Sequence, residues 1–380
     1  MFWKEMGRRS FITKISSAAL GVWASRLWNA PSSLAKTEHM PALECRTLGR
    51  TGLKATAVGM GVMNCSDPTV VLRAFDLGIN FYDTAPSYMG GRNEEMIGKA
   101  LKGKRDRVYL QTKIPSGDEK RTRTSVERSL RRLQTDYIDV LVWHGLDSPG
   151  EVSDSRASEF MEKMKKEGKA RFTGFSAHSR MASLLREAAK TNSHDVALVS
   201  YNFTHSRDLR DAVAQAAKSG IGIVAMKTQA GGYKKEKMGN LSPHQAALKY
   251  VLRDTNVTLA VPGVTTIEQI EECAAVMGTT LSQRDMDRLR HYQTFLQGRI
   301  CTMCGGCGGG CPFGVPYEKF LRAMMYHDGY RNEQLAADTL GDRVASKIAE
   351  ACSGCPSCSV VCRRGLDIRA QIRQAQQVLT

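Results

Sequence analysis

The sequence contains no uninterrupted apolar run near the ~18 residues that a membrane-spanning helix requires. It also lacks the composition of a disordered or fibrous chain, because 42% of its 380 residues are hydrophobic and 24% are charged. Two phosphate-binding motifs are missing as well: G-x-G-x-x-G, which marks open doubly wound sheets, and the P-loop with its Gly-Lys-Ser/Thr end. These absences exclude an integral membrane protein, an unfolded chain and a P-loop nucleotide-binding protein.

Positive charge is in excess, with 54 Lys and Arg against 38 Asp and Glu and a formal net charge of +16. Such a balance raises nucleic acid or a membrane surface as a partner. The sequence nevertheless has no nucleic-acid reader module and no basic patch interleaved with aromatic residues, and the arginine-rich segment 121–134 has the pattern of a solvated helix face. We therefore expect neither nucleic acid binding nor stable membrane insertion.

The first 35 residues have the anatomy of an export signal. Arg8-Arg9 stand before Ser-Phe-Ile-Thr-Lys, a mild apolar stretch occupies 15–25, and Ser33-Leu34-Ala35 offers the small residues of a cleavage site. The arginine pair resembles the twin-arginine signal, a route that carries folded proteins out of the cytoplasm. The sequence thus predicts a twin-arginine signal peptide over 1–35 and a periplasmic protein. A basic amphipathic helix docked on the body is the alternative.

From residue 55 onward, short apolar runs rich in β-branched residues alternate with amphipathic helical stretches. Strands are predicted over 55–62, 80–85, 107–114, 137–144, 172–177, 196–202, 221–228 and 258–263, and helices over 93–103, 120–135, 181–191, 208–219 and 267–277. Several strands are apolar on both faces, which is typical of parallel strands covered by helices. Eight such units favour an α/β fold, a (β/α)8 TIM barrel over 43–280, because an open doubly wound sheet would carry the missing glycine fingerprint.

Polar side chains stand where the predicted strands end. In a barrel of this kind the chemistry lies at the carboxyl ends of the strands. Those ends, with the loop after the second strand, carry Asp83, Tyr88, Lys113, His144, Ser176, Asn202 and Lys227. Charged residues are costly to bury unless they are paired, so this set predicts an active site rather than a core.

Four segments resemble the aldo-keto reductase family over about residues 43–280: RTLGRTGLKATAVGMG, GINFYDTAPSY, YLQTK and DYIDVLVWH. The resemblance implies that Tyr88 donates a proton to a substrate carbonyl and that Lys113 lowers the pKa of Tyr88. Asp83 would pair with Lys113, and His144 would orient the carbonyl oxygen. Hydride would come from a bound nicotinamide. Elementary chemistry agrees, because a phenol with a pKa near 10 needs a neighbouring cation to act as an acid or base near neutral pH.

The same resemblance predicts a nicotinamide site, and the sequence departs from the family in part of it. The expected cofactor contacts are Ser176, Asn202, Lys227, Gly263, Thr265 and Gln269, the last three in the segment PGVTTIEQIEEC, which resembles the family's phosphate-binding loop and helix. Ala177 stands where the family commonly has Asn, Leu198 where it has Gln, and Gln269 where an Arg commonly reads the adenosine 2′-phosphate. NAD(P) is the expected cofactor, with a changed dinucleotide preference or another hydride or electron source as alternatives.

Eight of the 11 cysteines lie in two short windows. Residues 301–312 read CTMCGGCGGGCP and residues 352–362 read CSGCPSCSVVC, so both have the spacing C-x2-C-x2-C-x3-C. This spacing is typical of [4Fe–4S] clusters, whereas structural zinc would leave half of the thiols unexplained and disulfides within so short a run would be strained. In two-cluster ferredoxins the fourth cysteine of one run binds the other cluster. The predicted ligand sets are Cys301, Cys304, Cys307 and Cys362 for one cluster and Cys352, Cys355, Cys358 and Cys311 for the other.

The rest of the chain completes the predicted organisation. Residues 281–299 are expected to form a helical linker, and residues 300–380 a small all-α ferredoxin-like iron–sulfur domain that lies across the barrel mouth. Cys45, Cys65 and Cys273 are each expected to be small buried apolar residues.

Taken together, the sequence predicts an exported oxidoreductase that interconverts a carbonyl and an alcohol on a small, sugar-like substrate. Iron–sulfur clusters would relay electrons to or from a redox partner protein or electron carrier. The alternative is an electron-transfer iron–sulfur subunit whose barrel is mainly a docking scaffold. The complete catalytic set favours the enzyme, and the altered nicotinamide contacts favour the scaffold.

Overall fold

The structure, a computed structural model, describes residues 43–231, 242–340, 352 and 355–379. An antiparallel hairpin precedes eight parallel strands that neighbour one another in chain order. The strands are β1 (Cys45–Thr47) and β2 (Lys54–Thr56) in the hairpin, then β3 (Met60–Gly61), β4 (Phe81–Asp83), β5 (Tyr109–Ile114), β6 (Ile138–Leu146), β7 (Ala170–Ala177), β8 (Val196–Ser200), β9 (Gly222–Met226) and β10 (Leu259–Ala260). Parallel bridges from Val58 to Ala260 and from Gly61 to Gly263 join the two ends of the sheet. The predicted (β/α)8 barrel is therefore present.

Helices on the outside of the barrel follow the strands, and several begin at a polar cap. The side chains of Asp118 and Ser206, for example, accept hydrogen bonds from the first-turn N–H groups of the helices that follow them. These helices are α1 (Pro68–Asp76), α2 (Arg92–Ala100), α3 (Glu119–Leu133), α4 (Pro149–Val152), α5 (Ser155–Lys166), α6 (Met181–Thr191), α7 (Arg207–Lys218), α8 (Pro243–Leu252) and α9 (Ile267–Ala274). Among the described residues, no helix is long and apolar enough to cross a membrane.

One predicted strand is divided in two. The sequence predicts a single strand over 55–62, whereas β2 pairs with β1 outside the barrel and β3 forms the first barrel strand. The chain changes partner at Thr56, whose N–H donates to the side chain of Asn80 at 2.9 Å and whose hydroxyl donates to the Val58 carbonyl at 2.8 Å. A continuous apolar run does not reveal such a change, because both halves are buried.

The barrel interior is apolar. Val140, Val142, Leu198 and Val224 are completely buried within it. A second and larger apolar layer separates the outer face of the sheet from the helices. Leu198, where the family commonly has Gln, is thus part of the interior packing, and the barrel gains apolar burial at that position in place of a polar contact.

Cys65 and Cys273 are buried as expected, but Cys45 is exposed. The expectation for Cys45 is wrong because β1 is an edge strand of a two-stranded hairpin, and its first and third side chains face solvent. Successive side chains of a strand point to opposite faces, so the middle residue alone turns inward.

The C-terminal part is mostly helical. It comprises α10 (Gln283–Leu296), α11 (Tyr317–Met324) with a π-helical turn at Met325–Gly329, α12 (Glu333–Leu340), α13 (Ile368–Leu379) and a short antiparallel ladder of β11 (Cys307–Gly308) with β12 (Val361–Cys362). The all-α prediction misses this ladder, which forms where the glycine-rich run leaves the backbone free to pair. Predictions that fall on 1–35 and on 341–351 lie outside the described residues.

The C-terminal segment packs against the carboxyl ends of the barrel strands. His205 Nε2 lies 3.0 Å from the Met303 carbonyl oxygen, and the Asn202 amide donates to the Thr302 carbonyl at 3.4 Å. Arg364 donates to the Thr204 carbonyl oxygen at 3.3 Å. The segment therefore occupies the side of the barrel where the sequence predicts the chemistry.

His205 makes this junction sensitive to acid. Its Nδ1 accepts the Asn202 N–H at 2.8 Å, so the ring is neutral with its proton on Nε2. Burial lowers the pKa of His205 to about 4 from 6.5. Because the pKa is lower in the folded than in the unfolded chain, His205 contributes stability that is complete above pH 6.5 and is lost as the pH falls toward its folded pKa. We expect a loss of roughly 2 kcal/mol at pH 5 from this one residue.

Urea unfolding of the wild-type chain and of His205→Gln at pH 7 and pH 5 measures that loss. The variant should be less stable at pH 7 and should lose less stability on acidification. His291→Gln is the matched control, since His291 is exposed. An equal pH dependence in wild type and His205→Gln would contradict the assignment.

Candidate active site

A buried ion pair between Lys113 and Asp83 anchors one side of the barrel mouth. Lys113 Nζ lies 2.8 Å from both carboxylate oxygens of Asp83 and 2.7 Å from the Thr84 carbonyl oxygen. The Gln111 amide donates to the same carboxylate at 2.8 Å. Lys113 is 1% exposed and Asp83 5%, so each compensates a charge that would otherwise be costly to bury.

Tyr88 and His144 face each other beside this pair. Tyr88 opens a short 3-10 turn after β4, and His144 lies near the end of β6. Their ring centroids are 6.2 Å apart in an edge-to-face arrangement, and Lys113 Nζ lies 4.8 Å from the centroid of the Tyr88 ring. The structure thus brings the four predicted catalytic residues together at the ends of β4, β5 and β6.

The expected lowering of the Tyr88 pKa is not found in this structure. Burial raises the pKa of Tyr88 well above its usual value of 10.0, and the negative charge of Asp83 raises it further. Lys113 does not reverse this, because Asp83 compensates its charge and its ammonium contacts the face of the phenol ring. Tyr88 therefore holds its proton at neutral pH, which is the state that a proton donor needs.

His144 is neutral at physiological pH. Burial lowers its pKa to about 3, and the positive charges of Lys113, Arg322 and Lys227 act in the same direction. A neutral imidazole can donate or accept a hydrogen bond without exchanging charge with a substrate. This state suits a residue that orients a carbonyl oxygen.

Tyr88 and His144 line a cavity of about 540 Å³ at the barrel mouth. Its opposite wall comes from the C-terminal segment, through Arg322 on α11 and Tyr326 on the π-helical turn. Lys227, at the end of β9, donates a hydrogen bond to the Tyr326 hydroxyl at 2.8 Å. Arg322 and Tyr326 were not predicted as site residues. The segment YEKFLRAMMYHDG indicates a helix, but nothing in it indicates which surface the helix packs against.

Four of the six predicted cofactor contacts line this cavity: Lys227, Gly263, Thr265 and Gln269. A Cβ at Gly263 would meet no atom within 4 Å, so the backbone there faces open space. The Gln269 side chain accepts the Thr265 N–H at 2.7 Å and holds the loop before α9 in place. An open glycine and a helix N-terminus fit the phosphate groups of a dinucleotide.

Ser176 and Asn202 do not belong to the cavity lining. The Ser176 hydroxyl accepts the Gly145 N–H at 2.8 Å, and the Asn202 amide donates to the Lys227 carbonyl at 3.1 Å. The polar group on this side is His178, whose buried Nδ1 has no hydrogen-bond partner among the described residues. The carboxamide of a nicotinamide in this cavity would therefore have different neighbours from those that the resemblance implies.

The two cysteine runs form two further cavities, each lined by four cysteines. One, of about 280 Å³, is lined by Cys301, Cys304, Cys307 and Cys362. The other, of about 30 Å³, is lined by Cys311, Cys352, Cys355 and Cys358. The β11–β12 ladder places Cys362 directly opposite Cys307. Each cavity is lined by three cysteines of one run and one of the other.

Burial, with a smaller contribution from the neighbouring cysteines, raises the pKa of Cys301 to about 12 and that of Cys307 to about 11. In the part of the chain that the structure describes, no group of three or more His, Cys, Asp or Glu side chains has the arrangement of a bound metal ion. Four thiols around each cavity nevertheless match the donor set of a [4Fe–4S] cluster. Cluster binding stays a prediction.

The active-site cavity and the first cysteine cavity share a wall. His178, just beyond β7, lines both of them. Helix α11 also contributes to both, with Glu318 and Leu321 toward the cysteines and Arg322 toward Tyr88 and His144. The two cavities thus share one lining residue and one helix.

Known proteins resemble this chain over the barrel. The model of the aldo/keto reductase family matches residues 64–241 and 233–293. L-galactose dehydrogenase from Arabidopsis thaliana is 29% identical over 297 residues, which cover 66% of this chain and 92% of that protein.

Two solved structures have a similar fold. The holo form of an aldo-keto reductase from Bacillus halodurans has a TM-score of 0.56 and 26% identity, covering 66% of this chain and 96% of its own. An aldo/keto reductase from Klebsiella pneumoniae in complex with NADP and acetate has a TM-score of 0.56 and 25% identity, covering 66% and 95%. With the family match spanning more than half of the sequence, this chain is an oxidoreductase and belongs to the aldo/keto reductase family.

Proposed function

We propose that this protein is an exported iron–sulfur aldo-keto reductase that interconverts a carbonyl and an alcohol on a small, sugar-like substrate. The observation that carries the proposal is the single cavity that holds Tyr88 and His144, the buried Asp83 carboxylate and the open loop at Gly263. Reacting groups and a place for phosphates thus share one cavity, as hydride transfer between a dinucleotide and a carbonyl requires.

Tyr88, His144 and the Lys113–Asp83 pair have different roles in the reduction of the carbonyl. Tyr88, protonated at neutral pH, donates its proton to the carbonyl oxygen as negative charge develops there. Neutral His144 donates a hydrogen bond to the same oxygen and fixes its direction. The ion pair of Lys113 with Asp83 packs against the Tyr88 ring and holds it beside His144.

NAD(P) bound in this cavity would supply the hydride, with Gly263, Thr265 and the N-terminus of α9 facing its phosphates. The similar Klebsiella pneumoniae protein holds NADP, which supports a nicotinamide cofactor here. The Arabidopsis thaliana relative is named for a sugar, which supports a sugar-like substrate.

The two cysteine-lined cavities support the iron–sulfur part of the proposal. Each would hold a [4Fe–4S] cluster on the four thiolates that line it, and such clusters supply one-electron transfer. The cavity on Cys307 and Cys362 adjoins the active site through His178. A redox protein or carrier outside the chain would be the electron partner.

The arginine pair at residues 8 and 9 supports export by the twin-arginine route. That route carries folded proteins, so buried clusters and a bound nucleotide could be assembled in the cytoplasm before export to the periplasm.

Anaerobic purification of the full chain, followed by iron, sulfide and nucleotide analysis, tests the proposal together with a sugar-aldehyde reduction assay. We expect about eight irons per chain, bound nucleotide and NADPH-dependent turnover. Fewer than about four irons would reject the two-cluster arrangement.

The second candidate is the electron-transfer subunit with a scaffold barrel. It is supported by Ser176 and Asn202, two predicted nicotinamide contacts that do not line the cavity. Their side chains instead form hydrogen bonds with backbone groups of the protein. Full iron content without nucleotide or turnover would favour this candidate over the reductase.

A further inference from the structure

Lys227 is a buried cation held in an unusual backbone conformation. It is 9% exposed, and its φ of 53° lies in the left-handed region that residues other than glycine rarely adopt. Its only hydrogen-bond acceptor among the described residues is the hydroxyl oxygen of Tyr326, at 2.8 Å. Strained residues of this kind persist where the surrounding structure fixes them, and they cluster at functional sites.

Arg322 adds a second positive charge to the same cavity. In the part of the chain that the structure describes, no carboxylate oxygen lies within the 4.0 Å of an ion pair from either Lys227 or Arg322. Both charges act on the reaction centre, since each lowers the pKa of His144 and of His178.

The charged groups of the cavity do not balance. Asp83 is compensated by Lys113, which leaves Asp338 as the remaining carboxylate of the described lining against Lys227, Lys319 and Arg322. The histidines of the lining do not alter this balance at neutral pH, because burial lowers the pKa of His144, His178 and His244. An uncompensated buried cation costs free energy that an anionic ligand recovers.

We propose that Lys227 and Arg322 bind a carboxylate carried by the substrate, so that the enzyme acts on small acidic carbonyl compounds such as oxo acids and sugar acids. This assignment rests on the reductase activity proposed above and names its substrate class. The site combines Lys227 of the barrel with Arg322 of the C-terminal segment. The hydrogen bond to the Tyr326 hydroxyl holds Lys227 in position. Its charges face Tyr88 and His144, so the carboxylate lies beside the carbonyl that reacts. A phosphate of the cofactor is the other source of negative charge, and the experiment separates the two.

The test compares two aldehydes of equal carbon number, 4-oxobutanoate and butanal, with NADPH and the anaerobically purified full chain. Wild type should favour 4-oxobutanoate in kcat/KM by about 10- to 100-fold, the range expected for a hydrogen bond to a charged group. Arg322→Gln and Lys227→Gln should each lower the ratio of kcat/KM for 4-oxobutanoate to kcat/KM for butanal to about one, because the ratio cancels any effect that is common to both aldehydes. Arg322→Lys should restore part of the preference, because a point charge remains without the planar fork.

Arg331→Gln is the matched control, since Arg331 is exposed, lies on the same segment and does not line the cavity. It should leave the ratio of the two substrates unchanged. If Arg322→Gln lowers kcat/KM for both aldehydes equally, the carboxylate site is wrong. If Arg322→Gln weakens NADPH binding and leaves the ratio unchanged, the anion is a cofactor phosphate and the assignment to substrate is overturned.

A binding measurement tests the anion site even if the protein does not reduce either aldehyde. Calorimetry gives the affinity for 4-hydroxybutanoate, and butan-1-ol is the neutral comparison. If neither aldehyde is reduced but 4-hydroxybutanoate binds to wild type and not to Arg322→Gln, the reductase function fails and the anion site stands. If neither aldehyde is reduced and 4-hydroxybutanoate does not bind in preference to butan-1-ol, both proposals fail.

Discussion

Replacing Tyr88 with Phe should lower kcat for carbonyl reduction by roughly 10²- to 10⁴-fold, the contribution of a positioned general acid. The variant keeps the ring, whose centroid lies 4.8 Å from Lys113 Nζ and 6.2 Å from the centroid of the His144 ring, so it removes the hydroxyl group and changes little else. A loss in kcat with a nearly unchanged KM would mean that the hydroxyl acts in the transition state. Steady-state kinetics with NADPH and a reducible aldehyde gives both constants.

Tyr109→Phe provides the control, because Tyr109 begins β5 at the opposite end of the strand from Lys113. It removes a phenol hydroxyl from the same barrel without touching the cavity, and its activity should match wild type. Turnover of Tyr88→Phe at the wild-type rate would assign the proton to another group. The Tyr326 hydroxyl would then be the first to consider, since the charges of Lys227 and Arg322 outweigh burial and lower its pKa.

Double replacement of cysteines should show whether each cluster takes its ligands from both cysteine runs or from a single run. The iron content of two double variants distinguishes these arrangements. Cys301→Ser with Cys362→Ser removes two cysteines of one cavity, so about four of eight irons should remain. Cys301→Ser with Cys311→Ser removes one cysteine from each cavity, so few irons should remain. If each run held its own cluster, the two variants would exchange results.

Iron and sulfide analysis and electron paramagnetic resonance of anaerobically purified protein measure this difference. Cys45→Ser is the control, since Cys45 is exposed and lies on the hairpin that precedes the barrel. Equal and full iron content in all three variants would mean that the cysteines are not the ligands. Equal and full loss in both double variants would mean that neither cluster survives alone, and single Cys362→Ser and Cys311→Ser variants would then show whether one cluster depends on the other.

The barrel and its catalytic residues could be predicted because their signals are local. A largely apolar run that stops at an ionisable residue marks a strand end, and Asp83, Lys113 and His144 each stand at such a point. The carboxyl ends of parallel strands meet at one side of a barrel, so the order along the chain already places them together. The cysteine spacing is also a local signal, because each run of four cysteines lies within 11 residues of sequence.

The opposite wall of the site could not be predicted, because it depends on packing between distant segments. Arg322 and Tyr326 reach the cavity only because Phe320, Leu321 and Met324 bury the other side of α11. Apolar spacing identifies such a helix but not its partner. The direction of the Tyr88 pKa shift could not be predicted for a related reason, since it follows from burial and from the pairing of Lys113 with Asp83 rather than from residue types.

Helix α11 has a consequence for how the two halves of the protein communicate. It presents Leu321 to the first cysteine cavity and Arg322 to the reaction centre one residue later. A displacement of this short helix alters both surfaces at once, because neighbouring residues on one helix move as a unit. By thermodynamic reciprocity, any change that filling one cavity makes in the affinity of the other acts with equal strength in the reverse direction. Any coupling between the barrel mouth and the cysteine cavity would therefore involve a helix that lines both.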